Sequence, residues 1–301
     1  MAHDALQLLV IGISLGSIYA LIALGYTLVY GVLRLINFAH GDVMMVGAYI
    51  GYFIAKCPAV EQSPVVARLL VVFLGAMAGC AALGVVIERF AYRPLRNQPR
   101  LTALITAIGV SLFLEYGGQL VLGATPRQDI PQLVPPRTVA AFGGVEISST
   151  QVLVLAVSLA LMALLELFVM KTKTGKAMRA ISFDHTAAAL VGVNTDRVIA
   201  FTFALGSALA AAAGVMMTMS YPKVDPIMGL IPGIKAFVAA VLGGIGNIRG
   251  AMLGGILLGV LESLVGYFWS GCRDGVAFAV LILILLFRPS GLLGKGAVER
   301  A

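Results

Sequence analysis

The sequence predicts an all-α, polytopic transmembrane helical bundle, and three observations lead to this prediction. Of its 301 residues, 60% are hydrophobic and 12% are charged, about half the roughly 25% charge of soluble domains. Three runs, 5–33, 69–87 and 198–222, contain no Asp, Glu, Lys or Arg, and each is near the ~20 residues that span hydrocarbon as a helix. None of these runs alternates polar and apolar residues with period two, so the spans are predicted to be helices rather than barrel strands.

Eight or nine spans are predicted within a single membrane-embedded domain covering residues 1–301. Three of them are too short for a full crossing, so each is expected to be tilted, extended at its ends, or a re-entrant half-helix buried in protein. These three lie at 43–55, 234–247 and 275–288. The first span is expected to be retained, because no Lys or Arg precedes it and its apolar run exceeds a signal core. The other predicted spans are 5–33, 65–87, 101–122, 151–170, 198–220 and 251–268.

The positions of the basic residues predict how the bundle is oriented. Two connections, 88–100 and 171–197, contain the largest groups of them, and short cytoplasmic loops are enriched in Lys and Arg. Arg288, Lys295 and Arg300 therefore place the C-terminus in the cytoplasm, and the N-terminus, which lacks basic residues, is expected outside. Positive-inside bias accounts for the net charge of +7, so no nucleic-acid partner is expected. The prolines and paired glycines of 123–150 predict a structured external loop.

Two polar breaks in apolar stretches are candidate functional sites. In the first, Asn37, His40 and Asp42 interrupt an apolar run. Polar groups at membrane depth are costly unless they face a cavity or one another, so this cluster is predicted to line the translocation path or its gate, with a bare loop as the alternative. The second break contains flexible glycines suited to unwound backbone along a pathway; its candidate residues are Gly243, Gly244, Gly246 and Asn247.

Three carboxylates lie in predicted spans. Glu115, Glu166 and Glu262 are candidates for proton coupling, because an ionisable group inside a membrane is expensive to keep there. The structural alternative is that Glu166 extends towards Lys171 and that the other two bond neighbouring helices. We expect the structural alternative for all three.

No enzyme signature is present, so neither catalytic residues nor a metal site are expected. Gly175-Lys176 is followed by Ala177 and lacks the upstream glycine of an ATP-binding phosphate loop. The letters Gly-x-Ser-x-Gly occur only at 12–16, inside the first predicted span rather than at a strand-to-helix elbow, and His-Glu-x-x-His is missing. His40 and Asp42 lack a third metal ligand. The three cysteines, Cys57, Cys80 and Cys272, show no disulfide or metal spacing and are expected to be buried, inert thiols.

The connection 171–197 contains a candidate helix at 187–192, ending at Gly192 and Asn194. Such a helix suits docking of a soluble partner, and a position on the lipid surface is the alternative. Elsewhere, small residues recur every fourth position, as at Gly12, Gly16 and Ala20, which predicts close helix packing within the bundle or, as the alternative, a dimer face.

The chain resembles the membrane permease subunits of bacterial ABC importers for branched-chain amino acids, particularly the H-type subunit of the leucine, isoleucine and valine system. Five segments carry this resemblance nearly end to end: 16–26, 36–42, 88–96, 192–197 and 235–246. The resemblance implies a bacterial inner-membrane protein that pairs with a second similar permease subunit, two cytoplasmic ATPase subunits and a periplasmic binding protein. It implies that ATP-Mg is bound on the ATPase chains and that this chain holds no cofactor.

The resemblance also implies where the ATPases couple to the permease. ABC importer permeases dock their ATPases through a Glu-Ala-Ala, three residues, Gly pattern in a cytoplasmic loop. Here Thr186, Ala187, Ala188 and Gly192 fit that pattern, with Thr in the Glu position. The later Ile-x-Leu-Pro part is not matched, because Thr202, Ala204 and Leu205 stand there.

Import of branched-chain or similar apolar amino acids is the expected function. Family relatives also carry amides and urea, which leaves those substrates as alternatives. An ion-coupled secondary carrier would depend on the intramembrane carboxylates, and a passive channel or receptor would work without any ATPase.

Overall fold

The computed structural model describes residues 2–96, 98–142 and 144–294. Within these ranges it contains twelve α-helices and one two-stranded antiparallel hairpin. The helices are α1 (Ala2–Leu33), α2 (His40–Ala55), α3 (Pro58–Glu61), α4 (Val65–Ile87), α5 (Arg100–Leu122), α6 (Ser149–Lys171), α7 (Lys173–Phe183), α8 (His185–Leu190), α9 (Thr195–Ser220), α10 (Leu230–Gly243), α11 (Ile248–Phe268) and α12 (Gly275–Phe287). The strands are β1 (Thr138–Phe142) and β2 (Val145–Ser148).

Six of these helices are long and apolar enough to cross a membrane: α1, α4 with its continuation to Leu95, α5, α6, α9 and α11. The helices α10 and α12 are apolar but shorter, and α2 has only 16 residues. The all-α, polytopic bundle is therefore confirmed, with a β-hairpin that was not predicted. Six helices have the length and composition of a full crossing, so the predicted count of eight or nine spans is not confirmed.

The bundle has two distinct ends. At one end Gln7, near the start of α1, bonds the backbone of Glu146 in the hairpin, and Lys56, after α2, pairs with Asp129. We call this the hairpin end. At the opposite end, His185 bonds the Val32 carbonyl near the end of α1. We call this the basic end, because the connections 88–100 and 171–197 meet there together with 288–294.

Small residues hold the centre of the bundle together. A methyl group added at Gly16 of α1 would lie 2.7 Å from the Cα of Ile256 in α11, so only glycine permits this approach. On the other side, Gly255 faces Ala20 of α1. The expected close packing within the bundle is thus found between α1 and α11. Helices α1 and α9 are mostly buried, whereas α5 and α6 are largely exposed.

Two of the short helices begin inside the bundle, and their first turns meet. A methyl group added at Gly41 of α2 would lie 2.5 Å from the carbonyl oxygen of Gly229 and 3.0 Å from the Cα of Gly233 in α10. The neighbouring His40 packs on Gly25, which precedes the end of α1 by eight residues, about 12 Å of helix. From this meeting point α2 runs to the hairpin end and α10 runs to the basic end.

Several helix boundaries differ from those predicted, for local reasons. Helix α10 begins four residues before the predicted span, and Pro232 lies in its first turn, where proline is tolerated. It ends at Gly243, because Gly244 leaves the helical conformation with a φ of 102°. Side chains of Asn194 and Asn247 cap α9 and α11 and extend both helices towards the basic end. Helix α7 was not predicted at all; Thr172 caps it by accepting a bond from the Gly175 backbone.

The prediction for the cysteines is correct at only one of three positions. Cys80 is buried in α4, but Cys57 and Cys272 are exposed. Both exposed residues lie in short connections between helices, next to Lys56 and Arg273, rather than within a span.

Candidate functional site

The first predicted site, at the start of α2, is a buried polar cluster. Asn37 accepts a bond from the Tyr92 hydroxyl at 2.9 Å, and His40 packs edge-on against Tyr26, with ring centroids 4.8 Å apart. All three predicted residues, Asn37, His40 and Asp42, are buried. The cluster therefore lies where α1, α2 and the turn after α4 meet.

Asp42 connects this cluster to α5. Its carboxylate accepts a bond from the Ser111 hydroxyl and interacts with Glu115, which is also buried. The expectation that Glu115 bonds a neighbouring helix thus agrees with this contact. The cluster formed by Asn37, His40, Asp42 and Glu115 thus contains two acidic side chains and no lysine or arginine.

The second predicted site is a glycine joint at the basic end of α10. Gly244 and Gly246 have φ values of 102° and 91°, a left-handed conformation that favours glycine. Gly243 packs on the backbone of Gly250, while Asn247 caps α11 and donates to the Leu293 carbonyl at 2.7 Å. The backbone is unwound here, as predicted, and it joins α10 to α11 and to the segment after α12.

The predicted coupling residues form α8, one short helix on the basic end. Asp184 caps it by accepting from the backbone N–H groups of Thr186 and Ala187. Ala188 is buried against the rest of the chain, and Gly192, with φ of 88°, ends the helix. The exposed apolar side chains of this connection are instead Phe183, Leu190 and Val191, with exposed fractions of 77%, 83% and 79%.

Glu166 and Glu262 take different positions. Glu166 pairs with Arg249 of α11 at 2.6 Å rather than extending to Lys171, because Arg249, in the first turn of α11, lies at the same end of the bundle as Glu166. Glu262 is almost completely buried, and the Tyr19 hydroxyl donates to it at 2.9 Å. It belongs to a larger charged cluster that the sequence did not predict.

That cluster lines a cavity of about 370 Å³. Its deep wall includes Lys235 of α10 and Tyr19 of α1. Tyr221 and Ser270, which lie just beyond the hairpin ends of α9 and α11, also line it. The cavity is therefore reached from the hairpin end.

Four charged side chains form a continuous row along the cavity. Lys235 contacts both Asp274 and Glu262, with Nζ to Oδ1 and Nζ to Oε1 distances of 2.6 and 2.8 Å. The same Glu262 oxygen accepts from Arg273 Nε at 2.8 Å, and Arg273 Nη2 donates to the Tyr221 hydroxyl at 3.1 Å. We call Lys235, Glu262, Arg273 and Asp274 the charged row.

Aromatic side chains lie beneath the cavity on the way to the basic end. Phe237 follows Lys235 by two residues, and Tyr26 follows Tyr19 by seven, about 10 Å along α1. The Phe237 ring centroid is 6.1 Å from those of Tyr26 and Phe38. Only about 10 Å³ of free space remains beside Tyr26 and Phe237. The cavity is thus reached from the hairpin end, and little free space lies beside these rings.

Six long apolar helices, two helices that begin inside the bundle, and a charged cavity reached from one end define a multi-pass membrane protein with the features of a transport protein. Residues 8–285 match the family described as the permease component of the branched-chain amino acid transport system. The chain belongs to this family.

Curated relatives match over nearly the whole length. The chain is 46% identical to the high-affinity branched-chain amino acid transport system permease protein BraD of Pseudomonas aeruginosa, covering 99% of this chain and 98% of the relative. It is 44% identical to the corresponding protein LivH of Escherichia coli, with 98% and 97% covered. A probable permease LivH of Methanocaldococcus jannaschii is 27% identical, with 92% and 89% covered.

Proposed function

We propose that this chain is the permease subunit of an ABC importer that moves branched-chain or similar apolar amino acids into the cell. The observation that carries the proposal is the full-length similarity to relatives whose names state this transport. The cavity supports it, because a compartment reached from one end of the bundle, with aromatic rings packed together further along the same helices, suits alternating access. The role is a permease rather than an enzyme.

The basic end is proposed to face the cytoplasm of a bacterial inner membrane. The connections 88–100 and 171–197 lie at this end, as does the segment up to Gly294, whereas the hairpin and the start of α1 lie at the other. Lys295 and Arg300 lie outside the described residues. Nine segments, α1, α2, α4, α5, α6, α9, α10, α11 and α12, then alternate in direction, which gives an external N-terminus and a cytoplasmic C-terminus in one domain.

ATP hydrolysis is proposed to take place on partner chains, with ATP-Mg bound there. The proposed docking surface on this chain is the exposed apolar patch formed by Phe183, Leu190 and Val191. Thr186, Ala187, Ala188 and Gly192 give α8 its shape, and the buried Ala188 fixes it to the bundle. A short rigid helix can transmit a displacement to α7 and α9, which flank it.

The remaining partners are proposed from the family and from the exposed surfaces. A second similar permease subunit completes the path, and a periplasmic binding protein delivers the substrate at the hairpin end. The helices α5 and α12 expose large apolar side chains, among them Phe113, Leu120 and Leu286. Contact with the lipid bilayer or with the second permease subunit covers such surfaces.

The two predicted polar sites are proposed to act at the two ends of α10. Asn37, His40 and Asp42 surround the meeting point of α2 and α10, and Gly243, Gly244, Gly246 and Asn247 join α10 to α11. Tilting of α10 between these two joints would move the Phe237 ring away from the rings of Tyr26 and Phe38. We therefore propose that α10 moves as a gate, and that the two polar sites hold its ends rather than line the path.

Affinity purification tests the proposed class. The tagged chain is expressed with its neighbouring genes, extracted in mild detergent and purified, and the chains that co-elute are identified by mass spectrometry. An ATPase chain and a second permease at comparable amounts are expected. Recovery of this chain alone, with full ATP-independent leucine uptake in vesicles, would contradict the proposal.

A further inference from the structure

We propose that the cavity at the hairpin end is a binding site for the zwitterionic head group of the transported amino acid, with Asp274 receiving the α-ammonium and Arg273 receiving the α-carboxylate. The inference rests on the proposed function and deepens it, because it assigns substrate recognition to this chain itself. The observations behind it are the order of charges in the row, the unequal exposure of its members and the apolar residues that line the same cavity.

The charged row alternates in sign from one end to the other. Asp274, Lys235, Glu262 and Arg273 follow one another at contact distances between 2.6 and 2.8 Å. A zwitterion presents both signs on atoms of one small head group, so it matches a surface that offers both signs side by side. Neither the Asp42 and Glu115 cluster nor the glycine joint provides a cation.

The inner and outer members of the row differ in how fully they are engaged. Glu262 accepts from Lys235, Arg273 and Tyr19 and is buried, with only 3% of its side chain exposed. Lys235 is 6% exposed and lies between two carboxylates. These two residues are satisfied by the protein and form the base of the site.

The outer members keep bonding capacity for a ligand. Asp274 is 63% exposed and has one described partner, Lys235, so several acceptor positions on its carboxylate are open. In the described contacts of Arg273, Nε bonds Glu262 and Nη2 bonds Tyr221, which leaves Nη1 to donate. An ammonium group can donate to the open acceptor positions of Asp274, and a carboxylate can accept from Nη1 of Arg273. Both contacts are charge-assisted hydrogen bonds.

The rest of the cavity suits an apolar side chain. Leu15, Met217, Ile231 and Pro232 line it together with the charged row. Its volume of about 370 Å³ falls within the ~300–1,000 Å³ range of small-molecule sites. Charges at both ends of the row and apolar side chains in the same cavity describe a site for an apolar amino acid rather than for a sugar or an ion.

Photolabelling tests this assignment on the purified complex of the chain with its co-eluting subunits. A leucine analogue that carries a diazirine in its side chain is irradiated without ATP, and labelled peptides of this chain are identified by mass spectrometry. Label is expected on the peptides containing Met217 and Ile231. Excess L-leucine should displace it, whereas 4-methylpentanoate, which lacks the ammonium group, should not.

Two variants and a matched control separate the site from the general fold. Arg273→Gln and Asp274→Asn should each lower this labelling by about tenfold, as expected for the loss of one charge-assisted bond, and Asp274→Glu should restore part of it. Asp129→Asn removes an acid that also pairs with a lysine but lies outside the cavity, and it should leave labelling unchanged. The displacement of the label by L-leucine is measured on the wild-type protein, so misfolding of a variant cannot affect that result.

The outcomes also distinguish this inference from the proposed function. ATP-driven uptake of labelled leucine is measured on the same wild-type preparation. Uptake without leucine-displaceable label in the cavity, or with displacement by 4-methylpentanoate as strong as by leucine, would overturn the site and leave the importer. Absence of uptake in an intact complex would overturn the importer itself.

Discussion

Lys235 of α10 and Glu262 of α11 form a buried ion pair, with 2.8 Å between Nζ and Oε1. Lys235 lies in a helix that begins inside the bundle, and Glu262 lies in one that runs its full length. The pair therefore ties the start of α10 to the scaffold and forms the base of the cavity. Any motion of α10 during transport changes this contact.

The two partners of this pair should differ in their effect on stability. Glu262→Gln removes the carboxylate that Lys235, Arg273 and Tyr19 share, so we expect a loss on the order of 3 kcal/mol, typical of breaking a buried pair. Lys235→Met leaves Glu262 bonded to Arg273 and Tyr19 and should cost less. Thermal unfolding of the detergent-purified protein measures both, and equal losses would contradict the described geometry.

The meeting of α2 and α10 should tolerate no side chain. Gly41→Ala places a methyl group 2.5 Å from the Gly229 carbonyl oxygen, and this overpacking against backbone should cost about 1–3 kcal/mol. Gly109→Ala in α5, where nothing lies within 4 Å, is the matched control and should not destabilise the protein. If both variants unfold at the wild-type temperature, the two helices do not meet in this way.

The apolar patch on the basic end should control ATPase binding. Leu190→Glu introduces a charge at a side chain that is exposed in this chain, so the permease should accumulate normally while the ATPase no longer co-purifies. Val139→Glu, on the exposed face of β1, is the control and should retain the ATPase. Undiminished ATPase recovery with Leu190→Glu would remove the patch from the docking surface.

Ala188→Glu should behave differently from Leu190→Glu. Ala188 is buried against its own chain, and a carboxylate placed there has no solvent, so the cost falls on the fold of the 171–197 connection. We expect a lower yield of folded permease, measured by size-exclusion chromatography. Normal yield combined with loss of the ATPase would instead place Ala188 on the docking face.

The contact between Lys56 and Asp129 should give a pH-dependent stability at the hairpin end. The hydrogen bond from Lys56 holds the pKa of the Asp129 carboxyl below its ordinary value. A lowered folded-state pKa contributes stability above the unfolded-state pKa, and this is lost as the pH falls through the folded-state value. Asp129→Asn should therefore lower the unfolding temperature slightly at pH 6, and the difference should disappear once the pH has fallen through the folded-state pKa. A difference that persists there would exclude this cause.

Much of the bundle was predictable because hydropathy and charge act locally along the chain. The runs ending near Leu33, Ile87 and Ser220 became long helices, and the glycine-rich stretch at 243–247 is unwound. Helix α7 was missed because its basic sequence resembles a plain loop and only the Thr172 cap signals its start. The β-hairpin was missed because its strands have only four and five residues.

The cavity could not be predicted, because its residues come together only through tertiary packing. The sequence identified Glu262 as a carboxylate inside a span. The structure shows its partner, Lys235, and this ion pair agrees with a structural role for Glu262. Arg273 and Asp274 follow a predicted span and resemble ordinary loop charges. These two residues reach the cavity because they immediately precede α12, which is short and begins next to Lys235.

ATP dependence of leucine uptake tests the central claim most directly. The complex containing this chain is reconstituted in vesicles with the binding protein at the hairpin side and ATP at the basic side, and labelled leucine is followed over time. We predict uptake that requires hydrolysable ATP and continues when an ionophore abolishes the proton gradient. Uptake driven by an imposed pH step without ATP would contradict the account.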